Sequence, residues 1–221
     1  MPASYVQTNY NSSTTAGSTS QTATLTATPS VGNTLVVAIR AASSNTVTSV
    51  TDSASNTYTL LVSKQVGSAS TVYIYAAPIA TAPSSVTTQG PTGSTSARPT
   101  IVAEFAGLGK ALTQDPTDGT GTNGKSNGSA TSDTISTAKA INNYGDMVLS
   151  AITTASTVTF VPQNLIINPS NNLALGNFLA TASVGSTQSF TYNWSPASAS
   201  ADVIATLQPY GNLLQFTTVA H

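Results

Sequence analysis

The chain has 221 residues, with six Lys and Arg, seven Asp and Glu, one His, no Cys and a formal net charge of -1. So few cations leave nothing to displace counterions from nucleic acid, and without Cys there is no disulfide scaffold and no thiolate metal centre. Ser and Thr supply 69 residues, so hydroxyls and amides must hydrate the surface, while 39% hydrophobic residues are enough for a core.

The opening Met1-Pro2-Ala3-Ser4-Tyr5-Val6-Gln7 has no basic region and no apolar run. It does not read as a secretory signal, and the expectation is a cytosolic product or a chain whose signal has been removed. Residues 1–21 are mostly small and polar and are expected to form a flexible N-terminal arm. From residue 22 onward β-branched residues dominate, apolar residues recur with period two or in short runs, and Gly, Pro, Asn and Ser fill the breaks. That pattern predicts strands over Thr22–Thr28, Thr34–Ala41, Val47–Asp52, Thr57–Ser63, Thr71–Ala76, Ser85–Thr88 and Thr100–Phe105. Residues 113–130, around Asp115-Pro116-Thr117-Asp118-Gly119, are rich in Gly and Asn and are expected to be a long loop or linker. Further strands are predicted over Thr131–Ser136, Met147–Thr153, Val158–Val161, Leu173–Ala182, Ser189–Trp194 and Ala201–Leu207. No apolar segment is long enough to span a bilayer as a helix.

The stretches 22–112 and 131–221 read as two related halves. Val31–Ala38 resembles Asn143–Ser150, which places Leu35 with Met147. Ser84–Thr87 resembles Thr187–Thr191, and Pro99–Phe105 resembles Ala201–Leu207. A duplicated unit of four or five strands is the simplest account, and each unit is too small to hide both faces of its sheet unless the halves pack together.

Little in the chain suggests catalysis. His221, the last residue, has no Cys or second His to work with. Ser136-Thr137-Ala138-Lys139 fits a Ser-x-x-Lys pattern but lacks the companion motifs of β-lactamases. Asp52 and Asp146 stand in turn contexts, where a carboxylate bonds nearby backbone N–H groups. Glu104 lies on a strand and is expected to pair with Arg40 or Arg98, or to sit at a rim in water. No pair of acids stands out as flanking a glycosidic bond. Asp115, Asp118 and Asn123 could supply oxygen ligands to Ca²⁺, but the stretch lacks the ligand rhythm and closing Glu of an EF-hand, and as a flexible linker it needs no metal. Tyr73 and Tyr75 are two apart and share one face of a strand. Exposed, they and Trp194 would make a platform for a sugar ring; buried, they are core.

The segments Asp52-Ser53-Ala54-Ser55-Asn56-Thr57-Tyr58 and Glu104-Phe105-Ala106-Gly107-Leu108, set in this strand order, resemble a β-sandwich domain found in bacterial extracellular multi-domain proteins and in tailed-phage virion proteins. The likeness covers residues 22–210. It implies an all-β, jelly-roll-like antiparallel β-sandwich built from two pseudo-repeated halves, with a structural or adhesive role, no enzymatic activity and no cofactor. The expectation is a structural protein of a phage virion, assembled in the host cytoplasm. It would be a capsid decoration or cement protein, or a tail-associated fibre component, docking many weak copies on a major capsid or tail lattice. A homo-oligomer, trimer or dimer, suits that role. The alternative is a carbohydrate-binding or adhesive module, extracellular or on a cell surface, that recognises a host glycan through Tyr73, Tyr75 and Trp194. Neither reading involves nucleic acid or a membrane.

Overall fold

The computed structural model describes residues 3–11, 19–42, 45–66, 70–91, 98–108, 121–125, 130–141, 145–154, 156–160, 165–168, 173–179 and 185–209. These residues form sixteen strands and no helix. In the first half they are β1 (Ser4–Tyr10), β2 (Ser20–Thr24), β3 (Thr34–Ala42), β4 (Ser49–Asp52), β5 (Thr59–Val66), β6 (Ser70–Pro78), β7 (Ser85–Gln89) and β8 (Thr100–Ala106). In the second they are β9 (Gly121–Lys125), β10 (Ser132–Ser136), β11 (Met147–Thr154), β12 (Thr157–Phe160), β13 (Leu165–Asn168), β14 (Leu173–Leu179), β15 (Ser189–Ser195) and β16 (Ser200–Leu207).

The first half forms a five-stranded sheet in the order β1-β8-β3-β6-β5 and a three-stranded sheet in the order β2-β7-β4. The second repeats this as β9-β16-β11-β14-β13 and β10-β15-β12, so every strand has its counterpart eight strands later. All pairings are antiparallel. This alternation of sequence-distant neighbours between two sheets is the jelly-roll pattern. The fifth strand of each half lies beside the sixth, in the larger sheet.

Three apolar layers separate four sheets. Leu35, Val37, Ile39 and Val102 pack against Ala23, Val50 and Val86 between the two sheets of the first half. Val148, Ile152 and Ile204 pack against Ile135, Phe190 and Trp194 within the second. Between the halves, Val36, Ala38, Ile74 and Phe105 meet Met147, Leu149, Leu175 and Val203. Both five-stranded sheets are therefore covered on both faces, and β3, β8, β11 and β16 read as near-continuous apolar runs. The outer sheets bury one face only, and β2 and β10 alternate exposed and buried.

The structure corrects four expectations about the fold. The repeated unit is an eight-stranded, two-sheet body rather than a single sheet of four or five strands. Residues 1–21 are not simply a flexible arm, since Ser4–Tyr10 is the edge strand β1, paired with β8. Residues 113–130 contain β9, which pairs with β16 although it carries no apolar side chain. The internal alignment also shifts by one residue. Thr34 opposes Phe105 and Met147 opposes Leu207, so Leu35 corresponds to Val148 and not to Met147. Gly32 and Gly145, at φ +93° and +86°, make the same left-handed turn one residue before the loop residue that leads into each strand. A one-residue slip exchanges the two faces of a strand, and the core assignments exclude it: Val36 and Leu149 face the central layer while Leu35 and Val148 face outward layers.

The halves fill their outer layers differently at matched positions. The registers equate Tyr75 of β6 with Gly176 of β14, and Thr88 of β7 with Tyr192 of β15. The bulky ring thus moves from the large sheet to the small one, and Gly176 makes room for it. A Cβ on Gly176 would lie 2.7 Å from the Phe190 ring and 3.2 Å from the Tyr192 hydroxyl. Gly176→Ala should therefore cost about 1–3 kcal/mol through overpacking, read as a lower urea midpoint at unchanged m-value. A loss under about 0.5 kcal/mol would mean that the rings move aside freely.

Candidate functional site

The Asp52-to-Tyr58 segment is a closed polar turn. Asp52 Oδ1 accepts from the N–H groups of Ala54 (2.9 Å) and Asn56 (3.1 Å), and Oδ2 accepts from Asn56 Nδ2 (2.8 Å) and the Tyr58 hydroxyl (3.1 Å). Asn56 carries the network across to the next turn. Its Oδ1 accepts from the Ala80 and Thr81 N–H groups, and its Nδ2 also donates to the Thr81 carbonyl. Ser55 sits at φ 61°, in the left-handed region that the tight turn demands. Four donors converge on the carboxylate and Asn56 passes the network on, so the motif pins the β4–β5 and β6–β7 connections.

Glu104 is buried at the far end of β8, where its side chain faces the outer layer of the first half. Oε1 accepts from the Ser30 N–H (2.8 Å) and Asn33 Nδ2 (2.6 Å), and Oε2 accepts from Gln7 Nε2 (2.6 Å). The expected partners, Arg40 and Arg98, are not among these donors. Arg40 Nε donates to Ser70 Oγ, and buried Arg98 is met by Gln21 and the Thr19 carbonyl. Neutral amides therefore fasten β1 and the turn before β3 to β8.

The aromatic platform expected from Tyr73, Tyr75 and Trp194 does not form. Tyr73 is buried and Tyr75 half-buried against the same apolar layer, their rings stacked 6.2 Å apart. Trp194, 2% exposed, lies in the second half's outer layer with Phe190 and Tyr192. Inward-facing residues at i, i+2 and i+4 of β15 account for all three of those aromatics. Asp115 and Asp118 lie outside the described residues, as does His221; Asn123 stands in β9, opposite Asp202 in register. Among the described residues no group of three or more His, Cys, Asp or Glu is placed to hold a metal ion, and no helix is long and apolar enough to cross a membrane.

One grouping was invisible in the sequence. Asp133 of β10 and Asp202 of β16 both turn into the layer that holds Tyr192, and both are buried. Ser200 Oγ donates to Asp133 Oδ2 at 3.1 Å. The registers equate Asp133 with Gln21 and Ser200 with Arg98, so both halves bridge their two sheets at this point with polar side chains. These acids are sealed between sheets, away from any substrate in solution. Ser136 and Lys139 of the Ser-x-x-Lys pattern are both exposed, and Ser136 Oγ instead meets Ser189 Oγ at 2.6 Å.

Burial raises the pKa of Tyr58, with the charge and hydrogen bond of Asp52 adding to it. Burial also raises that of Tyr192, with the Asp202 carboxylate adding. Each phenol stays protonated in the fold after it would ionise in the unfolded chain, so its contribution is complete below pH 10.0 and lost as pH rises beyond. Each should cost about 1.4 kcal/mol by one pH unit above that value. Urea midpoints should therefore fall steeply above pH 10, and Tyr58→Phe and Tyr192→Phe should flatten the fall. Parallel wild-type and variant curves would refute the assignment.

The outward faces of the two outer sheets carry hydroxyls. On the outer sheet of the first half, Thr22 and Thr87 meet hydroxyl to hydroxyl at 2.8 Å, and Thr134 and Thr191 repeat the contact at 2.8 Å in the second. Ser20, Thr24, Thr51, Ser132, Ser136 and Ser189 flank them, all exposed. No family model, curated protein or solved structure matches the chain.

Proposed function

We propose that the chain is a non-enzymatic structural protein of a phage virion, a capsid decoration or cement protein or a tail-associated fibre component, that docks in many copies on a protein lattice and associates with itself. The observation that carries this reading is the direction in which the side chains point. Glu104, Asp133, Asp146 and Asp202 are buried, and Asp52 is bound into its own turn. The outer sheets present uncharged Ser and Thr faces. A rigid four-sheet body with such faces suits attachment by shape, with weak contacts multiplied over a lattice. The jelly roll hosts capsid and lectin domains alike, so the fold is compatible with the role without selecting it. The glycan-binding alternative loses its aromatic platform to the core.

The test is stoichiometry on particles. Gradient-purified virions of the encoding phage should contain the chain by mass spectrometry, and purified chain should rebind particles lacking it. Virions without the chain that also fail to bind it would overturn the reading.

A further inference from the structure

We infer that the chain is a two-sided bridge: its two outer sheets are equivalent docking faces that engage the same uncharged protein site twice, on two lattice subunits facing each other across a local two-fold axis. This rests on the virion reading above and adds to it the surface and the valence. The two halves are related by a pseudo-two-fold. Strand β5 meets β16 as β13 meets β8, β6 meets β16 as β14 meets β8, and β6 meets β11 as β14 meets β3. Reciprocal contacts of this kind mark an isologous interface. The sheets stack in the order outer, large, large, outer. The outer faces therefore point in opposite directions, about 30 Å apart at three sheet spacings of about 10 Å.

Outward, the two faces have stayed alike. Strand β2 presents Ser20, Thr22 and Thr24 where β10 presents Ser132, Thr134 and Ser136. Beside them β7 presents Ser85, Thr87 and Gln89 where β15 presents Ser189, Thr191 and Asn193. Four of these six pairs are identical, and the other two exchange one hydroxyl or amide for another. Ser and Thr are 69 of the 221 residues but ten of these twelve, so composition alone does not supply the likeness. Inward, none of the matched pairs agrees: Gln21 stands against Asp133, Ala23 against Ile135, Val86 against Phe190 and Thr88 against Tyr192. Exposed substitutions cost a fold little, within about 0.5 kcal/mol, whereas core changes are felt. Drift after a duplication should thus blur the outer faces first. The reverse pattern points to one partner shared by both.

Charge and area define that partner. Neither outer sheet carries Lys or Arg, and their acids are Asp52, bound in its own turn, and buried Asp133. A charged surface docked here would lose water and gain no counter-charge, so the complementary site is itself uncharged. Three strands of four or five residues offer roughly 250 Å², against about 800 Å² per partner in a stable complex. One face alone therefore holds a free partner only weakly. Two faces seated on sites already fixed in a lattice add through effective concentration, and a face this small can then serve.

In the experiment, full-length chain and its variants are titrated onto particles of the encoding phage that lack it, and bound chain is counted after sedimentation. Thr22→Lys charges the first face and Thr134→Lys the second, both at exposed positions. Each should weaken binding about 100-fold or more, with circular dichroism and urea midpoint unchanged, and the double variant should not bind. If either Lys variant unfolds, Thr87→Glu or Thr191→Glu takes its place on the neighbouring strand. Electron microscopy of native virions should show the chain between two subunits with both outer sheets in contact, and it decides where added chain does not rebind. Single-face variants that bind as the wild type does, or a loss confined to one face, would overturn the bridge and leave the virion role standing. A chain that neither binds particles nor occurs in virions would overturn both.

Discussion

Trp194→Ala should destabilise the protein by about 3–5 kcal/mol. The indole is 2% exposed and packs with Phe190, Val158 and Ile152 between the two sheets of the second half. Truncation loses the transfer free energy of the ring and leaves a cavity that two hydrogen-bonded sheets cannot easily collapse into. Trp194→Phe should cost much less, because the indole N–H finds no acceptor among the described residues and its removal breaks no hydrogen bond. Urea unfolding of both variants, followed by near-ultraviolet circular dichroism, measures the difference. If Trp194→Ala unfolds within about 1 kcal/mol of wild type, the side chain is not core, and a ligand-facing role for it would regain its motivation. The same logic covers Tyr73, whose ring is buried between sheets.

The strands that were legible are those whose side chains answer to burial. Leu35-Val36-Val37-Ala38-Ile39 and Ala201-Asp202-Val203-Ile204-Ala205 announce themselves because both of their faces are covered. The outer-sheet strands show as alternation, Phe190-Thr191-Tyr192-Asn193-Trp194 most plainly. Period two reveals which residues share a face, but not whether that face looks inward, and so the aromatic triad could be taken for a platform. Strand β9, Gly121-Thr122-Asn123-Gly124-Lys125, has no apolar residue and exists through its backbone pairing with β16, which leaves no trace in hydrophobic pattern. Strand β1 scatters Tyr5, Val6 and Tyr10 among polar residues without a clear period, and it runs into a Ser-, Thr- and Asn-rich N-terminal tract. Strand β13 offered a signal, Leu165-Ile166-Ile167, but one shorter than an ordinary strand. The turn at Asp52 was readable because its partners are two to six residues away. The partners of Glu104 are 71, 74 and 97 residues distant, and only the assembled topology brings them together.

Glu104→Ala should cost about 3 kcal/mol or more, since each hydrogen bond to a charged group is worth about 1.5–3 kcal/mol and the abandoned donors must find new partners. Three donors are abandoned: Gln7 of β1, the Ser30 N–H, and Asn33 at the entry to β3. Glu104→Gln keeps one acceptor oxygen and should retain part of the stability. The loss is local before it is global. Apart from the ladder to β8, β1 is tied to the body among the described residues by side-chain hydrogen bonds from Gln7 to Glu104 and to the Ala27 carbonyl, from Thr8 Oγ1 to the Val102 carbonyl at 2.9 Å, and from Asn9 to the Thr24 carbonyl, and by the edge-on contact of Tyr5 with Phe105. Removing the carboxylate should therefore raise hydrogen exchange in β1 by more than in β3 or β6, whose neighbours on both sides stay in place. A uniform rise across the first half would instead mean that β1 opens only with the whole fold.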